Sequence, residues 1–548
     1  MANQGFPHRL TRRTAIGALA TTTFATTTTL QASARQDATP EGHTHTSATP
    51  IASPAAVANP ADGPRPEVTA PEVISSSDGV LNATLNAYIT EVEMGVGHPV
   101  TTYTYNGVVP GQTWEVSPGD TMRIHLANDL PEIPEGVDPH DIVRPHAWTT
   151  TNLHTHGLHV SPEGNSDNVF LEIGPGKTFD FEIDIPEDHT GGLYWYHPHK
   201  HGAVCQQVRA GMAGALIVRG EIDEVPEIKA AKEQVLVFQD IELDDNYVTP
   251  EPIPHPDPNQ AFFPRSQYYY TVNGQLLPKI TMYPGEVQRW RMLNAAEGKF
   301  MSLRIQDHDL NVVAWDGLTQ HEPTAEPDVM MSPGNRVEAL VKAGAPGTYE
   351  VVLTPGSSQH PDMPGMPHSD DVGQDDRSNE LKIRPIMILE VTGDGPEMSL
   401  PTALPAYDPP IRKIVTSRLV RYTVERGPDG VEFLDFGVDG KPFHPDNAPY
   451  QMKLGTAEEW IVMNDSDPKY AEHAHAFHIH VNPFKVTSVN GEILEQPYWR
   501  DTMAISGRDG DWFSCQMNLD DFTGKFVHHC HVLSHEDLGM MEAVEVVE

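Results

Sequence analysis

The stretch His528-His529-Cys530-His531-Val532-Leu533-Ser534-His535, followed by Gly539, Met540 and Met541, decides how the rest of the chain is read. In an extended strand alternate side chains share a face, so His529 and His531 point one way and Cys530 the other. One strand can then serve two metal sites at once. A thiolate, two imidazoles and a weak, long thioether make a blue-copper electron-transfer site. Cys530, His535 and Met540 supply three of those four ligands. A core strand with a buried cysteine would explain a lone Cys, but not this density of ligand-type residues.

Working outward, the chain has 548 residues, too many for one core, and a prior of about 150 residues per domain gives three or four domains. Its 36 basic and 77 acidic side chains leave a net charge of −41, which argues against a nucleic-acid partner and suits a surface attractive to metal ions or aromatic amines. With 49 prolines and 43 glycines between short Val, Ile, Thr and Tyr runs, strands and turns are predicted rather than long helices.

Arg12 and Arg13 follow a polar start and precede a mildly apolar, Thr-rich run from Ala15 to Leu30, with Ala32, Ser33 and Ala34 as a cleavage candidate. Residues 1–34 therefore read as a twin-arginine-type export signal, and the protein is expected to be exported, periplasmic or extracellular. Residues 35–65, rich in Ala, Thr, Ser and Pro, read as a disordered linker in which His43 and His45 are solvated. No other apolar run approaches the ~20 residues of a membrane helix, so no span is expected.

Beyond the linker the chain repeats. Asn106, Gly107, Pro118, Gly119, Asp120, Arg123 and Asn128 return as Asn273, Gly274, Pro284, Gly285, Glu286, Arg289 and Asn294, and more weakly as Asp439, Gly440, Gly455, Glu458 and Asn464. Three related β domains follow, over 66–221, 222–400 and 401–548, joined through the Pro-rich stretches near 222–230 and 395–411. Alternating segments such as Thr121-Met122-Arg123-Ile124-His125-Leu126 suit antiparallel sandwiches with one face buried.

The histidines are spread unevenly over the copies. The first has His154-Thr155-His156 and His197-Pro198-His199, the third His478-Ile479-His480 and His529-Cys530-His531, and the middle one has no such pair. Core histidines would explain one pair; four in matching order call for a metal cluster where the first and third domains meet. Pro198 stands where Cys530 stands in the third domain, so only that domain can hold a thiolate-bound copper. Cys530 is also covalently next to His529 and His531, which gives electrons a path of about 10–15 Å between the two sites.

The motifs His154-Thr155-His156-Gly157, His197-Pro198-His199, His475-Ala476-Phe477-His478-Ile479-His480 and His529-Cys530-His531 with His535 and Met540 resemble those of the multicopper oxidases, the family of laccases, ascorbate oxidase and bacterial cuprous oxidases. The resemblance covers residues from about 66 to 548 and implies an all-β chain of three cupredoxin-like Greek-key β-sandwich domains holding four copper ions. Carried over position by position, it implies that His475, Cys530, His535 and Met540 bind a type 1 copper and that His154 and His478 bind a type 2 copper. His156, His197, His199, His480, His529 and His531 would then bind a type 3 pair. Thr155 departs from the Trp frequent in the family, on the face turned from the metal.

Such a centre takes single electrons at the type 1 edge, through His475 or His535, and passes four to dioxygen, releasing water. Oxygen reduction consumes protons, and Asp167 and Glu536 match family positions for supplying them, the alternatives being that they orient ligand imidazoles or are ordinary surface charges of an acidic protein. Cys205 and Cys515 are a bridge or two buried thiols, with thiols preferred. The Met363 and Met366 segment, too Pro-rich for a strand, reads as a surface loop. A laccase-like oxidase of phenols and aromatic amines is expected, with a Cu(I) or Fe(II) oxidase as the alternative and a monomer as the expected state.

Overall fold

At the same place in each copy the chain turns back through a pair of residues in the left-handed region: Asn106-Gly107 at φ 55° and 76°, Asn273-Gly274 at 51° and 71°, and Asp439-Gly440 at 53° and 74°. Asn, Asp and Gly enter that region at least cost, which is why they mark the repeat in the sequence. Gly119, Gly285 and Gly455, the second turn of each copy, sit at φ 86°, 79° and 72°. Asn128, Asn294 and Asn464 close each copy by donating from Nδ2 to loop carbonyls of their own domain, Ile173, Met331 and Ser506 among them.

The computed structural model describes residues 65–548 apart from 134–136, 138–145, 253–265, 356–383, 427–433, 446, 448, 467–473 and 508–509. The export signal, the linker with His43 and His45, and the loop with Met363 and Met366 lie outside the described residues. Three successive pairs of sheets follow one another. In the first, Pro99–Tyr105, Val80–Glu93, Thr121–Asn128 and Lys177–Asp184 face Val73–Ser75, Thr113–Val116, Gly214–Val218, Gly192–His197 and His154–His156. The second and third each pair a six-stranded with a five-stranded sheet. The chain is all-β, about 53% strand and 5% helix.

The sheets are mixed rather than antiparallel throughout. Val80–Glu93 runs parallel to Thr121–Asn128, Lys232–Leu243 to Val287–Asn294, and Ile414–Arg426 to Thr456–Asn464. Between the members of each pair the chain crosses to the opposite sheet and back, at Thr113–Val116, Lys279–Met282 and Tyr450–Lys453. A crossover of that kind returns a strand in the same direction, as parallel pairing requires.

One strand position explains where metal chemistry can and cannot occur. The strands Gly192–His197, Gly347–Pro355 and Gly524–Cys530 occupy equivalent places, each opening on Gly with an aromatic two residues later. Six residues after that glycine stand Pro198, Leu353 and Cys530. Opposite Cys530 is Phe477, and opposite Leu353 is Leu303, so the middle domain carries an aliphatic pair where the third carries the thiol. The apolar cores are separate, around Trp114 and Tyr196, around Trp290 and Met292, and around Trp460, Phe477 and Phe513. Each buried ring of this size contributes about 3 kcal/mol, enough to hold the strands that present the histidines.

Candidate metal centre

The two outer domains present their histidines in the same register. His154 lies opposite His197 across the strands His154–His156 and Gly192–His197, and His478 lies opposite His529 across His475–Ile479 and Gly524–Cys530. The domains then meet about a local two-fold. The His154 ring stacks on His480 at 3.8 Å and 7°, and the His156 ring on His478 at 3.8 Å and 9°, each pairing a first histidine with a second. His197 and His531 rings are 5.5 Å apart, His199 and His529 rings 4.8 Å. All eight imidazoles are at most 2% exposed.

On half of these rings the nitrogen turned away from this cavity meets a protein acceptor. His154 donates from Nδ1 to Asp167 Oδ2 at 2.9 Å, His197 from Nδ1 to the Pro198 carbonyl at 2.8 Å, and His478 from Nδ1 to the Asp501 carbonyl at 2.8 Å. A proton fixed on Nδ1 leaves the Nε2 lone pair facing inward. Those three Nε2 atoms have no hydrogen-bond partner among the described residues. His156 is reversed, with Nε2 against the Thr502 hydroxyl at 3.2 Å and Nδ1 turned in. His529 Nδ1 sits on Glu536 Oε2 at 2.9 Å, and Glu536 Oε1 is 3.4 Å from His199 Nδ1. The Nε2 of His199 lies 3.1 Å from the Nε2 atoms of both His529 and His480.

A buried unpartnered nitrogen costs about 1–3 kcal/mol, so aiming several at one point is stable only around something that accepts lone pairs. Their protonation cannot serve instead. Burial, then the neighbouring imidazoles, hold His197, His478, His480 and His531 well below the usual histidine range, and His199 is pushed down to about 3. Neutral imidazoles converging in this way fit transition-metal ions. The ligand atoms fall into sets mutually within 4.8 Å: His156 with His197 and His531, His199 with His480 and His529, and His154 with His478 and, again, His156. Each set takes residues from both outer domains.

On the other face of the Gly524–Cys530 strand, Cys530 Sγ is 3.6 Å from His475 Nδ1 and 3.6 Å from His535 Nδ1. Metal–sulfur and metal–nitrogen bonds of ~2.3 and ~2.0 Å meeting near 120° would hold such atoms ~3.7 Å apart. Met540 is fully buried in the same core as Cys530. Burial pushes the Cys530 thiol up to about 12, so a thiolate there requires a cation beside it. His475 is fully buried and His535 is 8% exposed, with Phe436 stacked on its ring at 4.4 Å. The outer edge of this centre is therefore on the His535 side.

Eleven of the twelve residues singled out as ligands lie in these two clusters, and Met540 is buried in the core that holds Cys530. Asp167 and Glu536 both hold ligand-type imidazoles, and Asp167 Oδ1 also accepts the Thr155 amide at 2.8 Å. Burial opposes ionisation of Glu536, but His199 and His529 outweigh it and hold the carboxyl below its ordinary range. Cys205 and Cys515 are free and buried in different clusters, Cys205 beside Leu533 and Cys515 in the third-domain core. Sequence reasoning missed Asp501 and Thr502, which follow a polar, ordinary-looking strand, and Arg336 and Gly334 in a domain with no ligands. Only proximity in space marks them.

Three family profiles described as multicopper oxidase match residues 142–222, 241–366 and 412–548. The chain is 24% identical to the multicopper oxidase mco of Staphylococcus aureus, over 88% of this chain and 93% of that protein. It is 23% identical to a laccase of Bacillus subtilis, over 82% and 91%. A solved multicopper oxidase from Campylobacter jejuni, described as a metallo-oxidase, superposes with a TM-score of 0.69 at 25% identity, covering 89% of this chain and 97% of that one.

Proposed function

Since the chain belongs to the multicopper oxidase family, copper oxidoreductases that use dioxygen, we propose that it couples one-electron oxidation of phenols and aromatic amines to four-electron reduction of dioxygen to water. The observation that carries this reading is the convergence of eight imidazoles from two domains on one cavity, with Cys530 covalently between His529 and His531. In this reading His475, Cys530, His535 and Met540 hold a type 1 ion, His154 and His478 a type 2 ion. His156, His197 and His531 hold one member of a type 3 pair, and His199, His480 and His529 the other. Copper bound at these four places would supply one-electron redox chemistry, one electron per ion, so that the first ion together with the other three would make up the four electrons that dioxygen needs.

The chain's own residues do the rest. The backbone from Cys530 to its two neighbours gives electrons a short covalent route. Asp167 and Glu536 keep Nδ1 of His154 and His529 protonated, and each is placed to hand a proton inward as oxygen is reduced. Burial of all eight rings keeps bulk water from intercepting partly reduced oxygen.

A second reading, with Cu(I) or Fe(II) as the donor, is favoured by the net charge of −41 and by the Campylobacter jejuni metallo-oxidase. Oxygen uptake by the copper-loaded protein, compared across a phenol, an aromatic amine, Cu(I) and Fe(II), separates the two. Turnover with the metal ions alone would overturn the laccase-like reading, and a colourless, copper-replete protein inert to dioxygen would overturn both. Export through the Arg12-Arg13 signal is part of the same proposal, tested by finding the mature protein outside the cytoplasm and its retention on Arg12→Lys/Arg13→Lys substitution. Among the described residues no helix is long and apolar enough to cross a membrane.

A further inference from the structure

The middle domain holds no histidine of the cluster, yet its turn Ser332 to Asn335 and the following Arg336 reach the cluster's edge. Gly334, at φ 86°, is so close that a Cβ there would stand 3.0 Å from His156 Cε1 and from His531 Cδ2 and Nε2. Arg336 is fully buried and bonds all three domains. Its Nε donates to the Leu193 carbonyl of the first domain at 3.1 Å, and Nη1 to the Gly334 carbonyl of its own at 3.0 Å. Nη1 and Nη2 then fork onto both oxygens of Asp501 in the third domain, at 2.9 and 2.6 Å. Gly157, next to His156, leaves the room: a Cβ there would lie 2.3 Å from Arg336 Nη2.

Asp501 is the residue through which this fork acts. Its carbonyl fixes His478 Nδ1, and its Oδ1 accepts the Thr502 hydroxyl at 2.8 Å. That hydroxyl oxygen is 3.2 Å from His156 Nε2 and 3.2 Å from His478 Nδ1. Asp316 of the middle domain accepts the amides of Asp501 and Thr502, both at 3.3 Å, and Asn335 Nδ2 donates to the Thr502 carbonyl at 3.0 Å. So His156 and His478, one ring from each outer domain, take their orientation from a peptide that the middle domain grips at five points. At the opposite end of the cluster, His199 and His529 are approached by Glu536 of the third domain rather than by a middle-domain side chain.

We propose that Arg336, with Asp316 and Asn335, is a positioning device by which the ligand-free middle domain sets the His156 and His478 end of the cluster and so the retention of the copper held there. This rests on the copper assignment above. Planar, bidentate recognition is what lysine cannot reproduce, so Arg336→Lys keeps the charge and loses the fork.

The test is copper content and electron paramagnetic resonance of the full-length protein loaded at matched free copper, with the blue absorption of the Cys530 centre as the reporter of folding. Wild type with fewer than four coppers, or without a type 2 signal, would refute the copper assignment itself before any variant is made. Given four, Arg336→Lys is expected to keep the blue absorption while the affinity for the type 2 ion falls by about 10–100-fold, as losses of such supporting contacts do. Asp501→Asn should do the same, and the double variant should be little worse than either. Arg289→Lys, an equally buried arginine of the middle domain paired with Glu338 and Asp223, should leave the type 2 signal unchanged. An unaltered type 2 signal in Arg336→Lys, or an equal loss in Arg289→Lys, overturns the proposal. Should Arg336→Lys lose its blue absorption as well, Asp316→Asn decides: it leaves the fork in place and weakens the hold on the Asp501 and Thr502 amides that carry the support of His478, and an unperturbed type 2 signal there overturns the proposal.

Discussion

Replacing Glu536 by Gln tests the carboxylate that two imidazoles share. Glu536 is fully buried, 2.9 Å from His529 Nδ1 and 3.4 Å from His199 Nδ1, and as a carboxylate it can accept from both rings. A carboxamide accepts with one atom only and turns an N–H toward the other ring, which must rotate or move its proton to Nε2, where it can no longer bind metal. The loss is one hydrogen bond to a charged group, about 1.5–3 kcal/mol. At about 1.4 kcal/mol per decade that is a roughly 10–100-fold slowing of the step that depends on the ring. Stopped-flow absorbance separates the steps, since anaerobic bleaching of the blue band reports electron entry at Cys530 and its recovery after an oxygen pulse reports oxygen reduction. Bleaching should be unchanged and recovery slowed by that factor, with a larger solvent isotope effect if Glu536 also passes protons. If both phases match wild type, the shared carboxylate has neither job.

Stripping copper with a chelator should lower the melting temperature, because each bound site contributes about 4 kcal/mol at a thousand times its dissociation constant, and identical calorimetric traces for the two forms would contradict the cavity argument. Alkylation after unfolding the metal-free chain without reductant should add three labels, one each at Cys205, Cys515 and Cys530, and mass spectrometry showing fewer would contradict the free thiols. His159 ties the first domain to the third, with Nε2 2.8 Å from Asp521 Oδ1 and Nδ1 2.8 Å from the Val481 carbonyl. Burial works against its charge, but Asp521 raises it above 6.5 while His159 holds Asp521 below 3.8. The raised histidine contributes fully below its unfolded value and loses this as pH climbs through the folded one; the depressed Asp521 contributes above its unfolded value and loses this as pH falls. The gap in melting temperature between wild type and Asp521→Asn should therefore be widest between about pH 4 and 6.5 and narrow above it, and a gap flat from pH 5 to 9 would refute the pairing.

Much of this was legible in one dimension because strand geometry is local. Alternation of side chains places His529 and His531 apart from Cys530 wherever the strand ends up, and the left-handed Asn-Gly and Asp-Gly turns announce three copies of one domain. Antiparallel sheets were expected, and the parallel pairs are a miss of connectivity: alternating burial looks the same in Thr121–Asn128 whichever way its neighbour runs. The roles of Asp167 and Glu536 could be narrowed only to orienting or supplying protons, since a motif position says nothing of which ring nitrogen a carboxylate meets.

Read alone, the string of residues marked which side chains carry metal-type donors and that two groups of them share a strand, since donor type and a period of two survive any packing. Folding in space decided which histidines face one another, which nitrogen of each ring is turned inward, and that a domain without ligands supports the cluster. Those outcomes depend on docking between distant segments: His156 meets Thr502 across 346 residues, and Arg336 meets Asp501 across 165. A hydrogen bond is made or lost within a few tenths of an ångström, and no local pattern specifies how three sandwiches come to rest against one another to that tolerance.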